Sequence, residues 1–188
     1  MLKHLALTSA LALATTGTAM AGNLVEPVIV APPAAIYVDP GRDWSGAYFG
    51  VNGDIGAFNI GGPPSTSYWG LGVHAGYLAD MGDFVFGAEV SYEYTTVPSL
   101  APPNNFNRIG GDLILGYDAG DFMPHVTVGA ATLGPIGGTW YTGWSAGAGA
   151  SVMVTDNIML TGRYRYTRYN FGPGLNAHAG KLMLSYRF

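Results

Sequence analysis

One rhythm runs through most of this sequence: apolar and polar residues alternate with a period of two, and the ionised side chains keep to a single phase. The C-terminal segment shows it most plainly. From His178 to Phe188, residues Gly180, Leu182, Leu184, Tyr186 and Phe188 share one face, while Ala179, Lys181, Met183, Ser185 and Arg187 share the other. A strand whose oily face ends on Tyr186 and Phe188 suits a membrane interface, where aromatic rings sit between hydrocarbon and water.

Seven earlier segments obey the same rule. From Trp44 to Ile55, residues Ala47, Phe49, Val51 and Ile55 oppose Tyr48, Asn52 and Asp54. Next, Trp69, Leu71, Val73, Ala75 and Tyr77 oppose Gly70, Gly72, His74 and Gly76; then Phe84, Phe86, Ala88, Val90, Tyr92 and Tyr94 oppose Gly87, Glu89, Ser91 and Glu93. Ile109, Leu113, Leu115 and Tyr117 stand against Arg108, Gly110, Asp112 and Gly116. A weaker run follows from Phe122 to Ala131, then one from Gly143 to Val154. The seventh sets Ile158, Leu160, Tyr164 and Tyr166 against Thr161, Arg163, Arg165 and Thr167.

The joins alternate between short and long. Asp80–Asp83, Asp118–Asp121 and Thr155–Asn157 are tight, turn-forming sequences, whereas Phe58–Tyr68, Thr95–Phe106, Thr132–Thr142 and Asn170–Ala177 are longer and rich in Gly, Pro, Ser and Asn. Aromatics gather toward both strand ends. Trp44, Tyr77, Phe84, Tyr117, Phe122, Tyr186 and Phe188 mark the short-turn end, and Trp69, Tyr92, Tyr94, Trp144, Tyr164 and Tyr166 mark the loop end. A soluble sandwich has no reason to keep one whole face uncharged. Because lipid cannot hydrogen-bond backbone amides, strands cross it only as a closed cylinder, so residues 44–188 are predicted to form an all-β domain. Its architecture is an eight-stranded antiparallel up-and-down transmembrane β-barrel.

The N-terminus carries an export signal. Lys3 and His4 precede an apolar run from Leu5 to Ala14 and the small-x-small site Ala19-Met20-Ala21, which predicts a signal peptide over 1–21. Residues 22–43, with Pro27, Pro32, Pro33 and Pro40, read as an extended leader. The absence of cysteine excludes disulfides and thiolate metal sites, and a formal charge of -4 offers no basic field for nucleic acid.

The inward phase holds Asp54, Glu89, Glu93 and Asp112 against Arg108, Arg163, Arg165, Lys181 and Arg187. Charge so nearly balanced inside a low-dielectric wall favours a paired, hydrogen-bonded lumen network over a one-sign channel lining. Inward glycines such as Gly70, Gly72, Gly76, Gly147 and Gly149 are expected to leave room beside it, consistent with a small conductance. No catalytic, cofactor or metal site is predicted. His125-Val126-Thr127 has threonine where lipid A deacylases carry the serine of His-x-Ser, and its phase faces the lumen; His74 and His125 lie on strands separated by two others.

The segment Asp43-Trp44-Ser45-Gly46-Ala47-Tyr48-Phe49-Gly50 after a Pro/Val-rich leader, Gly143-Trp144-Ser145-Ala146-Gly147-Ala148-Gly149, Thr155-Asp156-Asn157-Ile158-Met159-Leu160 running into Arg163-Tyr164-Arg165-Tyr166, and the closing Leu184-Ser185-Tyr186-Arg187-Phe188 together resemble the porin-family, OmpA-like small outer-membrane β-barrel proteins, in particular the Brucella-type and rhizobial surface-protein branch. The resemblance spans the mature chain. It implies insertion in outer-membrane lipid, and assembly by periplasmic chaperones and the barrel-assembly machinery, with Tyr186 and Phe188 as the signal read. The expected role is envelope structure and surface display behind a largely plugged interior. The alternatives are a ligand-binding or adhesin barrel, contacting a host surface or small molecule through its outer loops, and a narrow low-conductance porin.

Overall fold

The computed structural model describes residues 42–61, 65–101, 105–135, 138–170, 172 and 174–188; the expected signal peptide and all but the last two residues of the leader lie outside the described residues. Eight strands follow in chain order: β1 Gly46–Ile60, β2 Thr66–Asp80, β3 Phe84–Thr96, β4 Asn105–Tyr117, β5 Phe122–Gly134, β6 Tyr141–Met153, β7 Ile158–Tyr169 and β8 Leu175–Arg187. Each pairs antiparallel with its chain neighbours, and β1 pairs with β8, which closes the barrel. The closing register matches Val51 with Leu184 and Asp54 with Lys181, so apolar meets apolar outside and charge meets charge inside. A slip of one residue would invert both faces.

The outward phase is apolar around the wall. Ile55 is 71% exposed, Val90 63% and Leu113 64%. A soluble monomer rarely shows a continuous apolar patch beyond about 300–600 Å². This wall belongs in hydrocarbon. Strands of 12 to 15 residues exceed the roughly 9–11 that a tilted strand needs to span the core, so their ends project beyond it.

That surplus corrects the expected loops. The ladder continues through Phe58↔Thr66, Thr96↔Asn105, Leu133↔Tyr141 and Tyr169↔Leu175. The connections therefore contract from the four stretches predicted to 61–65, 97–104, 135–140 and 170–174, of which 62–64, 102–104, 136–137, 171 and 173 lie outside the described residues. Outside the hydrocarbon no solvent selects an apolar outer face, so the alternation fades while backbone pairing continues. The short turns stand as predicted. Gly82 and Gly120 supply the left-handed conformation that two of them need, with φ of 91° and 79°.

Both aromatic girdles are present, with one exception. Tyr77, Phe84, Tyr117, Phe122 and Tyr186 face outward at the short-turn end, and Trp69, Tyr92, Tyr94, Trp144 and Tyr164 at the loop end. Trp44 does not join them. It is fully buried inside the short-turn mouth, because its indole N–H finds acceptors there: Asp118 Oδ1 at 3.1 Å and the Gly120 carbonyl at 3.1 Å. Its backbone N–H donates to Asp80 Oδ2 at 3.0 Å.

Val90 lies midway along β3 on the outward phase, so Val90→Arg places a cation in hydrocarbon. We expect a loss of about 2–4 kcal/mol in urea unfolding from lipid vesicles, against ~0–1 kcal/mol for the same change at the girdle.

Candidate functional site

Inward side chains fill the barrel in three layers. Eight strands make a cylinder just wide enough for its own side chains, so an inward residue meets partners from across the lumen as well as beside it.

The middle layer is a buried ion network in two quartets. Toward the loops, Arg108 donates from Nη2 to Asp54 Oδ2 at 2.5 Å and from Nε to Glu93 Oε2 at 3.1 Å, while Lys181 Nζ donates to Glu93 Oε1 at 2.5 Å. Toward the short turns, Arg163 Nη1 donates to Glu89 Oε1 at 2.7 Å and Arg165 Nη2 to Asp112 Oδ1 at 3.0 Å. Arg163 also lies 4.0 Å from Asp112, which joins its own pair to that of Arg165. Each quartet holds two acids and two bases and is neutral. All eight residues are buried. Neutral groups add to the coordination: Tyr48 O–H donates to Glu89 at 2.8 Å, Ser145 O–H to Asp112 at 3.0 Å, and Tyr68 Oη accepts from Arg108 at 3.1 Å, while Asp54 Oδ1 and Arg165 Nε and Nη1 are buried without a hydrogen-bond partner.

Arg187 must be withdrawn from the predicted network. Its phase is inward but its height is wrong: it lies in the last strand position beside the short turns. There its guanidinium donates to the carbonyls of Asp43, Ser45 and Asp156, tying the chain entry to β8. Next to it Arg42 bridges Asp121 at 2.5 Å and Asp156 at 3.2 Å. Residues 42–45 thus strap the short-turn mouth.

The two lumen histidines are held by neighbours. His125 Nδ1 lies 3.3 Å from the Met123 carbonyl and Nε2 accepts from Arg163 Nε at 3.3 Å, so both ring nitrogens are engaged. His74 Nε2 lies 2.8 Å from Ser185 Oγ and Nδ1 3.4 Å from Asn52 Oδ1. Thr127 is buried in the lumen, away from any lipid chain. Among the described residues, no group of three His, Cys, Asp or Glu converges with the spacing of a metal site.

The inward glycines are not vacancies. A methyl group on Gly76 would fall 2.5 Å from the Tyr48 hydroxyl oxygen, and one on Gly110 would fall 2.9 Å from the Arg165 guanidinium. Likewise Gly70 faces Asp54, Gly72 faces Glu93, Gly147 faces Thr127, and Gly149 abuts Arg163. Counting residue types along the wall had suggested spare room, but long side chains from other strands occupy it.

The outer two layers are apolar and were not predicted. At the loop end Phe58, Tyr68, Val97, Leu133, Tyr169 and Leu175 pack together, with Phe58 and Tyr68 stacked at 4.3 Å. At the short-turn end Trp44, Leu78, Val85, Ile114, Met123, Met153 and Met159 do the same. The signal was available: Leu78, Val85, Met123, Met153 and Met159 each stand two residues beyond a polar or glycine inward position. Above the loop-end layer opens an apolar cup of about 230 Å³, lined by Phe58, Val97, Phe106, Leu133, Tyr141 and Leu175. On the outer wall, Phe188 stacks on Phe49 at 5.7 Å and meets Tyr186 edge-on at 5.3 Å, at the β1–β8 seam.

A family model described as "Outer membrane protein beta-barrel domain" matches residues 9–188. The chain is 30% identical over 207 residues to the 25 kDa outer-membrane immunogenic protein of Brucella ovis, covering 100% of this chain and 98% of that protein. It is 29% identical over 172 residues to the 22 kDa outer membrane protein of Rhizobium leguminosarum bv. viciae, covering 80% of this chain and 81% of the other. Among solved structures, Neisserial surface protein A is similar in fold, with a TM-score of 0.57 and 19% identity over 77% of this chain and 98% of that one.

Glu93 accepts from both Arg108 and Lys181, so Glu93→Leu leaves one buried cation, Lys181, unpaired and the other, Arg108, with Asp54 alone. A loss of about 3–5 kcal/mol is expected in chemical unfolding. Adding Lys181→Met removes one of those cations, and a double-mutant cycle should show part of the loss recovered.

Proposed function

Because the chain belongs to the outer-membrane β-barrel protein family, and is integral to the outer membrane, we propose that its first role is structural: a closed, surface-displayed barrel that stiffens the envelope without conducting or catalysing. One observation carries this reading. The interior combines charge-neutral ion quartets with apolar layers at both ends, so a hydrated ion meets greasy side chains before it reaches either quartet. Ionised side chains so paired hold position and register, and opening a path would strand several of them in a low-dielectric space. Both lumen histidines are buried among the side chains that hold them, away from the lipid and from either mouth's solvent. Tyr186 and Phe188, displayed at the seam where the barrel closes, are assigned to recognition by the assembly machinery, with periplasmic chaperones delivering the chain.

The apolar cup supports a second reading, in which the loop end captures a small hydrophobic ligand. Its volume exceeds the ~150 Å³ of a cavity able to hold benzene.

Planar-bilayer recording of the refolded barrel separates the readings. The structural role predicts little or no stable conductance, and Trp44→Ala combined with Phe58→Ala should add brief openings by removing a ring from each end layer. Steady open channels in the unmodified protein would overturn the closed reading in favour of a narrow porin. For the cup, Leu133→Trp should abolish any saturable uptake of indole that the unmodified barrel shows.

A further inference from the structure

Among the described residues, acidic and basic side chains stand on the outward face of the strands in one place only. Arg168 on β7 and His178 on β8 both point outward at the loop end, one row apart: Arg168 pairs with Asn176 and Tyr166 with His178. Arg168 is exposed, and its side chain makes no ion pair or hydrogen bond with a described residue. The Tyr164 hydroxyl lies 2.6 Å from His178 Nδ1; with the hydroxyl donating, the ring proton sits on Nε2, free to donate outward. Trp144, the cross-strand partner of Arg168, packs on Tyr166 at 5.4 Å and frames the pair with rings of the girdle.

A second feature lies just below. Gly180 takes the outward position next to His178 toward the membrane centre, Gly162 lies on β7 below Tyr166 and Tyr164, and a methyl group on either glycine would touch nothing within 4 Å. Gly180 pairs with Tyr164 and with Ile55, and Gly162 with Leu182, so the bare backbone forms a shallow trough between larger side chains. A cationic edge at headgroup height above a smooth strip at acyl depth matches one kind of molecule.

We propose that Arg168 and His178, with the Gly162–Gly180 strip beneath them, seat one phosphorylated acyl lipid of the outer leaflet, its phosphate on the two side chains and an acyl chain in the trough. The guanidinium fork suits a phosphate's paired oxygens, and the neighbouring rings exclude water from the contact. Two neutral dipoles at this height would serve a headgroup without phosphate, but an unpartnered arginine on an otherwise uncharged wall selects an anion.

Native mass spectrometry of the full barrel, released into mild detergent with bis-phosphorylated lipid A, tests this. One lipid should be retained, and Arg168→Gln should lower its occupancy about tenfold, the scale of one lost charge-assisted contact. Gly180→Leu, which leaves Arg168 and His178 in place and fills the trough, should also lower it; heat-modifiable gel mobility confirms that both variants fold. Dephosphorylated lipid A should not be retained. Equal retention of the dephosphorylated lipid, or unchanged retention in Arg168→Gln, overturns the proposal.

Discussion

Hydrocarbon offers a peptide group nothing to bond with, and this refusal organises the protein. Every amide on a spanning strand needs a strand on each side, which only a closed ring of strands provides. The seam between β1 and β8 therefore matters as much as any hairpin. Once the ring closes, the two faces of each strand meet different solvents, and the alternation of oily and polar residues follows from that division.

Closure also creates the interior problem. Ionised side chains that would be hydrated on a soluble protein are enclosed in a narrow tube, where desolvation costs several kcal/mol per ion. The resolution is local neutrality. Asp54, Glu93, Arg108 and Lys181 balance one another, as do Glu89, Asp112, Arg163 and Arg165, and hydroxyls from Tyr48, Tyr68 and Ser145 add one bond each. Glycines opposite the longest of these side chains give the lumen its depth. Small residues on one strand and large ones on another are two halves of the same packing.

The barrel and its strand phases were legible in the sequence because a period of two needs no knowledge of what lies across the lumen. Glu89 and Arg163 could be placed inside for that reason, although nothing in the alternation pairs a residue of β3 with one of β7. Position along the axis was harder to see. Arg187 shares the phase of Lys181 yet lies beside the short turns, and Trp44 resembles a girdle residue until acceptors inside the mouth are known. The apolar end layers were missed because an inward Leu or Met looks like an error in a polar face. In fact it marks the height at which the inward phase changes from charged to apolar.

The strap formed by residues 42–45 ties together parts of the chain that are far apart in sequence. Arg42 reaches Asp121 and Asp156, Trp44 reaches Asp80, Asp118 and Gly120, and Arg187 returns to Asp43 and Ser45. None of these bonds can form from hairpins in isolation. The cap is consequently a record of completion: a partly built cylinder keeps its inner mouth ajar, and only a finished one acquires a lock.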